Sequence, residues 1–195
     1  MRLRLRWAVI VTAVVLLASV AVSVARTGRH ARAGWRAYHG AWFRVEYPRG
    51  FRVRPGMASR TAIPGEDSAF FTSPDRTVEF YVYSPQWYGA PSDIMLNPKT
   101  EKLVSSRTKI VPAKPSWPGI SADDEQPDVE ILWQTIRAKD GSYTRSYVNA
   151  AFGPGIMDGR MGQRVFGVKY TSHRAYERYR ADYLRFKRSL EQYAD

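Results

Sequence analysis

The chain has 195 residues, 44% of them hydrophobic and 25% charged, with a formal charge of +12. That length builds one sizeable core and little more, and the lack of cysteine excludes disulfides, thiolate catalysis and cysteine-based zinc sites. Residues 1–36 hold seven arginines and no acid, so residues 37–195 carry 23 basic against 18 acidic groups, or +5, and much of the apparent nucleic-acid signal is a basic tail.

Three arginines precede nineteen uncharged, mostly apolar residues, Trp7 to Ala25. About 20 residues at 1.5 Å rise match a hydrocarbon core of roughly 30 Å, which reads as a transmembrane anchor. Ser19 and Ala21, or Ser23 and Ala25, equally suit cleavage of a signal peptide. Both readings stay open for residues 1–25. Each puts the remainder outside the cytoplasm, anchored on the periplasmic side or released there. Arg26, Arg29, Arg32 and Arg36 nearly balance the N-terminal arginines, so the charge flanks specify orientation weakly. Residues 26–38 read as a basic linker and 39–193 as one folded domain.

In residues 42–55, Phe43, Val45 and Tyr47 alternate with Arg44 and Glu46, the pattern of a half-buried strand. A Pro48-Arg49-Gly50 turn leads to a short strand with Phe51 and Val53. Residues 68–85 hold two strands around Ser73-Pro74-Asp75-Arg76, a type I turn sequence. In the second strand Val78, Phe80 and Val82 form one face, and Glu79, Tyr81 and Tyr83 the other. Residues 86–100 and 112–128 are proline-rich and irregular, with one more strand between them. Residues 128–152 read as a hairpin around Asp140-Gly141, a type I′ dipeptide. A two-residue loop there sets Trp133 opposite Val148 and Ile131 opposite Ala150, giving an apolar face. A last strand, 164–170, precedes a helix capped by Thr171 or Ser172.

In that helix Tyr176, Tyr179, Tyr183, Phe186, Leu190 and Tyr193 recur at spacings 3, 4, 3, 4, 3, a stripe about 100° wide that faces a core. Arg174, Arg178, Arg185 and Arg188 lie on the opposite side, with Asp182 and Glu191 placed to pair locally with neighbouring cations. A single-strand binder would interleave rings and cations on one exposed face; here they are segregated.

No catalytic motif stands out. His30 lies in the linker, His39 at the domain edge and His173 at the helix start. The sequence lacks a Gly-x-Ser-x-Gly elbow, a His-Glu-x-x-His pair and a Gly-x-x-x-x-Gly-Lys loop. The glycine-rich segment 153–162 follows a strand but opens no helix, so it reads as a connecting loop within reach of Arg160 and Arg164. Asp123, Asp124, Glu125, Asp128 and Glu130 cluster in an acidic loop without the alternating spacing of a calcium loop. Asp123, Asp124 and Asp128 are its candidate metal ligands against the plainer reading of a solvated loop. Trp87 and Tyr88 stand in a Pro/Gly-rich stretch, either displayed to a partner or packed on the sheet edge.

The strand–Tyr-Pro–turn opening FRVEYPRGFRV, the strand TVEFYVYSP, and the closing strand VFGVKYTS with its helix YLRFKRSL follow an order that resembles the PsbP-like family over residues 40–191. The resemblance implies an α+β domain: a single α/β/α sandwich with a mainly antiparallel sheet and a C-terminal amphipathic helix, here preceded by an N-terminal hydrophobic helix. It also implies a binding or assembly role beside a membrane complex, with no cofactor and no catalytic residues. The expected function is a non-catalytic, exported or membrane-anchored accessory domain that binds a protein complex or an anionic surface. The candidate contacts are Trp87, Tyr88, Arg174, Arg178, Arg185 and Arg188. A hydrolase with dispersed residues and a nucleic-acid binder using the basic surface are the alternatives.

Overall fold

The computed structural model describes residues 34–87, 89, 91–112, 128–152 and 164–193. The hydrophobic segment 1–25, most of the acidic loop and the glycine-rich segment 153–162 lie outside them. Among the described residues no helix is long and apolar enough to cross a membrane.

The domain is mainly β, antiparallel throughout, with one long C-terminal helix. Strand β1 (Trp35–Gly40) pairs with β2 (Phe43–Pro48). The first strand thus starts four residues ahead of the expected boundary at 39, because Trp35 to Gly40 find partners all along β2. After the turn closed by Phe51 N–H donating to the Pro48 carbonyl (2.9 Å) come β3 (Arg52–Pro55), β4 (Ser68–Thr72) and β5 (Val78–Tyr83). A single helical turn, α1 (Pro91–Ile94), precedes β6 (Glu101–Pro112), β7 (Asp128–Ala138), β8 (Thr144–Phe152) and β9 (Arg164–Tyr170). The chain closes with α2 (His173–Ser189) and the two-residue β10 (Glu191–Gln192). Seven strands form a sheet in the order β3-β4-β5-β9-β8-β7-β6, and β1-β2-β10 form a smaller one.

The β7–β8 register sets Trp133 opposite Val148 and Ile131 opposite Ala150, as expected. The turn differs. Ala138 and Tyr143 close a four-residue connection in which Gly141 N–H donates to the Ala138 carbonyl, and only Gly141 takes positive φ (77°). Asp140 instead accepts from Ser142 N–H at 2.9 Å and Ser142 Oγ at 2.6 Å, a side-chain substitute for the I′ geometry. Both loops centre on the same residues, so the register survives.

Because side chains alternate along a strand, β5 feeds two cores. Val78, Phe80 and Val82 meet α2 and β2, whereas Tyr81 and Tyr83 join Ile136, Tyr147 and Val165 on the opposite face. On the helix side, Phe80 lies 5.1–5.3 Å from the rings of Phe51, Tyr183 and Phe186. Ser172 caps α2 by accepting from Ala175 N–H. The helix buries Ala175, Tyr179, Tyr183 and Phe186, so the aromatic stripe does cover a core. It ends earlier than expected: the helix stops at Ser189, Leu190 is its cap, and Tyr193 lies beyond β10, 42% exposed. Pairing of Glu191 and Gln192 with β2 replaces the last helical turn.

Phe186 is fully buried, so Phe186→Ala should cost about 3–5 kcal/mol, while Tyr193→Ala should stay within about 0.5 kcal/mol. Denaturant unfolding of the two variants checks this; equal losses would contradict the placement of Tyr193 outside the stripe.

Candidate functional site

The helix arginines are not equivalent. Arg178 donates to Asp75 at 2.7 Å, and Arg185 to Glu46 at 3.0 Å while lying 4.2 Å from the Trp35 ring. Hydrogen bonds from Ser73 and Thr77 outweigh the partial burial of Asp75 and hold its carboxyl down at about 2. Glu191, expected to pair within the helix, reaches Arg44 at 3.4 Å instead. Arg174 and Arg188 stand exposed. The arginine side therefore partly fastens the helix to the sheet. Trp87 is half-buried with its ring 5.1 Å from Tyr83, and Tyr88 lies outside the described residues. So do Asp123 and Asp124; Asp128 opens β7. Among the described residues no three acidic or histidine side chains gather as metal ligands. His173 is 82% exposed beside Glu177.

What the structure does assemble is a trench on the sheet face opposite α2. Its central hollow, about 260 Å³, is lined by Tyr81, Arg145 and Lys169 together with Phe70 and Tyr143. Two further hollows continue it, one toward Met57 and Trp87 and one toward Tyr170. Three strands position the floor: β5 contributes Tyr81, β8 Arg145 and β9 Lys169, in register at Tyr81↔Gly167 and Arg145↔Lys169. Gly167 is required here. A Cβ on it would lie 2.4 Å from the Tyr81 hydroxyl and 2.5 Å from the Ser146 carbonyl oxygen.

Arg145, 8% exposed, donates from Nε and Nη2 to the two carboxylate oxygens of Glu101 at 2.7 and 2.9 Å, and from Nη2 to the Met95 carbonyl at 2.7 Å. Glu101 also accepts from Asn97 N–H at 2.9 Å and Tyr143 Oη at 2.8 Å. Burial alone would push its carboxyl up; the Arg145 guanidinium, Asn97 N–H and Tyr143 hydroxyl outweigh that and hold it below its ordinary value. The forked contact fixes the guanidinium plane as a lone lysine could not. At the rim, Arg54 lies 4.0 Å from Glu79 and 4.0 Å over the Phe70 ring.

A second feature is the sheet edge. β6 is twelve residues long, pairs among the described residues only with β7, and exposes residues 102–110. It carries Leu103, Val104 and Ile110, three of the five exposed large hydrophobic side chains among the described residues, alongside Lys102, Arg107 and Lys109. A bulge between Leu103 and Ser105 interrupts its pairing.

No protein-family model and no curated protein matches this sequence. Sequence reasoning missed Arg145, Glu101, Tyr81 and Lys169. The available signal was Arg145, Tyr147 and Asn149 recurring every second residue beside the apolar Val148 and Ala150; this polar-looking set is the more buried one.

Removing one partner of such a pair costs about 3–5 kcal/mol, so Glu101→Gln should destabilise by that order at neutral pH. Because the folded carboxyl is held down, its contribution is full above 4.5 and fades as the pH falls toward the depressed value. The stability gap between wild type and Glu101→Gln should therefore close below pH 4.5. Taking this difference also cancels Asp67, whose carboxyl burial pushes up. A gap that stays constant to pH 3 in thermal melts would contradict the coupling.

Proposed function

We propose that this chain is a non-catalytic, exported or membrane-tethered binding domain of PsbP-like α/β/α type. It docks an acidic, extended segment of a membrane-associated protein complex on the β6 edge. The observation that carries the reading is that edge: a long row of backbone groups with no strand partner among the described residues, exposed apolar side chains and three cations. Natural sheets blunt such edges with short strands, lysines, proline or bulges; β6 carries two lysines, a bulge and a terminal Pro112, yet at twelve residues it still exposes Leu103, Val104 and Ile110. Strand addition supplies backbone hydrogen bonds for affinity and alternate side chains for specificity.

Charge selects the occupant. Lys102, Arg107 and Lys109 have no acid among their exposed neighbours on the strand, since Glu101 is buried against Arg145. A second copy would bring six cations together, whereas an acidic segment complements them. The order of the described strands and the closing helix supports the family reading, and the apolar run of residues 7–25 supports export or tethering. The pairing of Arg178 and Arg185 with Asp75 and Glu46 weighs against a nucleic-acid face on the helix, and the exposed position of His173 weighs against a hydrolase built on it.

Gentle detergent extraction of the full chain should recover one stoichiometric protein partner. Replacing Lys102, Arg107 and Lys109 by Glu should reduce that recovery at least tenfold, while Arg174→Glu with Arg188→Glu should leave it unchanged. Recovery of the chain alone, or as a dimer through β6, would overturn the reading.

A further inference from the structure

The trench meets β6 only at Glu101, away from the exposed run 102–110, and has its own unmet chemistry. Tyr81 is 4% exposed, and its buried hydroxyl lies beside the Arg145 guanidinium, which can donate to the oxygen but cannot take the proton; the O–H has no acceptor among the described residues. An unsatisfied buried polar group costs about 1–3 kcal/mol, and natural structures retain few of them. Burial pushes the phenol well up, so it stays protonated and able to donate. The Arg145 charge is already balanced: Nε and Nη2 serve Glu101, and Nη2 also serves the Met95 carbonyl.

Lys169 is different. Its Nζ lies 4.1 Å from the centre of the Tyr143 ring; Glu79 stands opposite it in the β5–β9 ladder, but no carboxylate comes within salt-bridge distance of it among the described residues. The trench carboxylates are otherwise occupied or peripheral. Glu101 is bound by Arg145, Glu79 accepts from Thr72 at 3.1 Å and faces Arg54, and Asp93 sits exposed on α1. The floor thus offers one uncommitted cation, one phenolic donor and a fixed guanidinium, beneath rings supplied by Phe70 and Tyr143. The lining balances three cations, Arg54, Arg145 and Lys169, with three carboxylates, Glu79, Asp93 and Glu101; with Asp93 at the periphery, Lys169 alone is left to meet a monoanion and nothing remains for a phosphate dianion. The hollow over this floor, about 260 Å³, suits a small ligand head, and the adjoining hollows of about 460 and 400 Å³ leave room for more of its body.

We propose that this trench binds a small organic monocarboxylate with a flat apolar body, the carboxylate taken by Tyr81 Oη and Lys169 Nζ and the body lying between Phe70 and Tyr143. The Arg145–Glu101 pair holds the floor in place and does not contact the ligand charge directly. This site is independent of the docking reading for β6.

The test uses the full chain in detergent micelles with 4-fluorobenzoate as probe, observed by fluorine NMR, and 4-fluorobenzyl alcohol and 4-fluorophenyl phosphate as comparators. Wild type should bind the benzoate with Kd on the order of 1 mM or tighter, and each comparator at least tenfold more weakly. Tyr81→Phe removes only the unpartnered hydroxyl, so the fold should be unharmed while affinity falls about tenfold. Lys169→Gln should give a similar loss. Absence of benzoate binding to wild type at 10 mM, equal binding by Tyr81→Phe, or equal binding of the alcohol would overturn the proposal. Preferred binding of the phosphate would overturn the monoanion assignment. Partner recovery through β6 does not depend on any of these outcomes, so either reading can fail alone.

Discussion

Phe80 and Tyr81 are adjacent residues that serve opposite sides of one sheet. Phe80 is fully buried among Phe51, Tyr183 and Phe186, and Tyr81 forms part of the trench floor. Side chains repeat every two residues along a strand, so a slip of one residue exchanges the faces completely. Phe80 would then lie among the charged groups of the trench, and the Tyr81 hydroxyl in a cluster of rings. The register of β5 against β4 and β9 is thus fixed by the aromatic core, and the polar face inherits its precision from the apolar one.

The two surface features meet at Glu101. It opens β6, and its carboxylate is gripped by Arg145 on β8, two strands away. An edge strand with one long ladder and a bulge has few means of holding its start in place. The forked contact, together with Asn97 N–H and Tyr143 Oη, supplies an anchor on the trench side. The polar network therefore shapes the trench wall and also fixes where the exposed edge begins.

Much of the framework was readable from alternation and spacing. The strands around Phe43, Phe80 and Val148 and the stripe from Tyr176 to Leu190 follow rules set by local geometry. Helix length was misjudged because Leu190 and Tyr193 continue the stripe in sequence, while β2 offers Glu191 and Gln192 a ladder that sequence spacing does not reveal. The partners of Arg178 and Arg185 were hidden for a related reason: Asp75 and Glu46 are distant in sequence. The site was least legible. A buried arginine on a strand looks like a solvent-facing residue until the carboxylate that neutralises it, 44 positions away, is brought beside it.

The position of β9 orders the assembly of the domain. Strands β7 and β8 are joined by a four-residue loop, so their ladder requires little chain closure. The β5–β9 ladder joins Val78 to Tyr170, 92 residues apart, and closing a loop of that length delays pairing. Two half-sheets, β3-β4-β5 and β8-β7-β6, remain separate until β9 bridges them. Tyr81 belongs to the first half, Arg145 to the second and Lys169 to the bridge. The trench floor consequently exists in no partly folded form that lacks the bridge, so anything bound there would stabilise only forms in which β9 has joined the two halves.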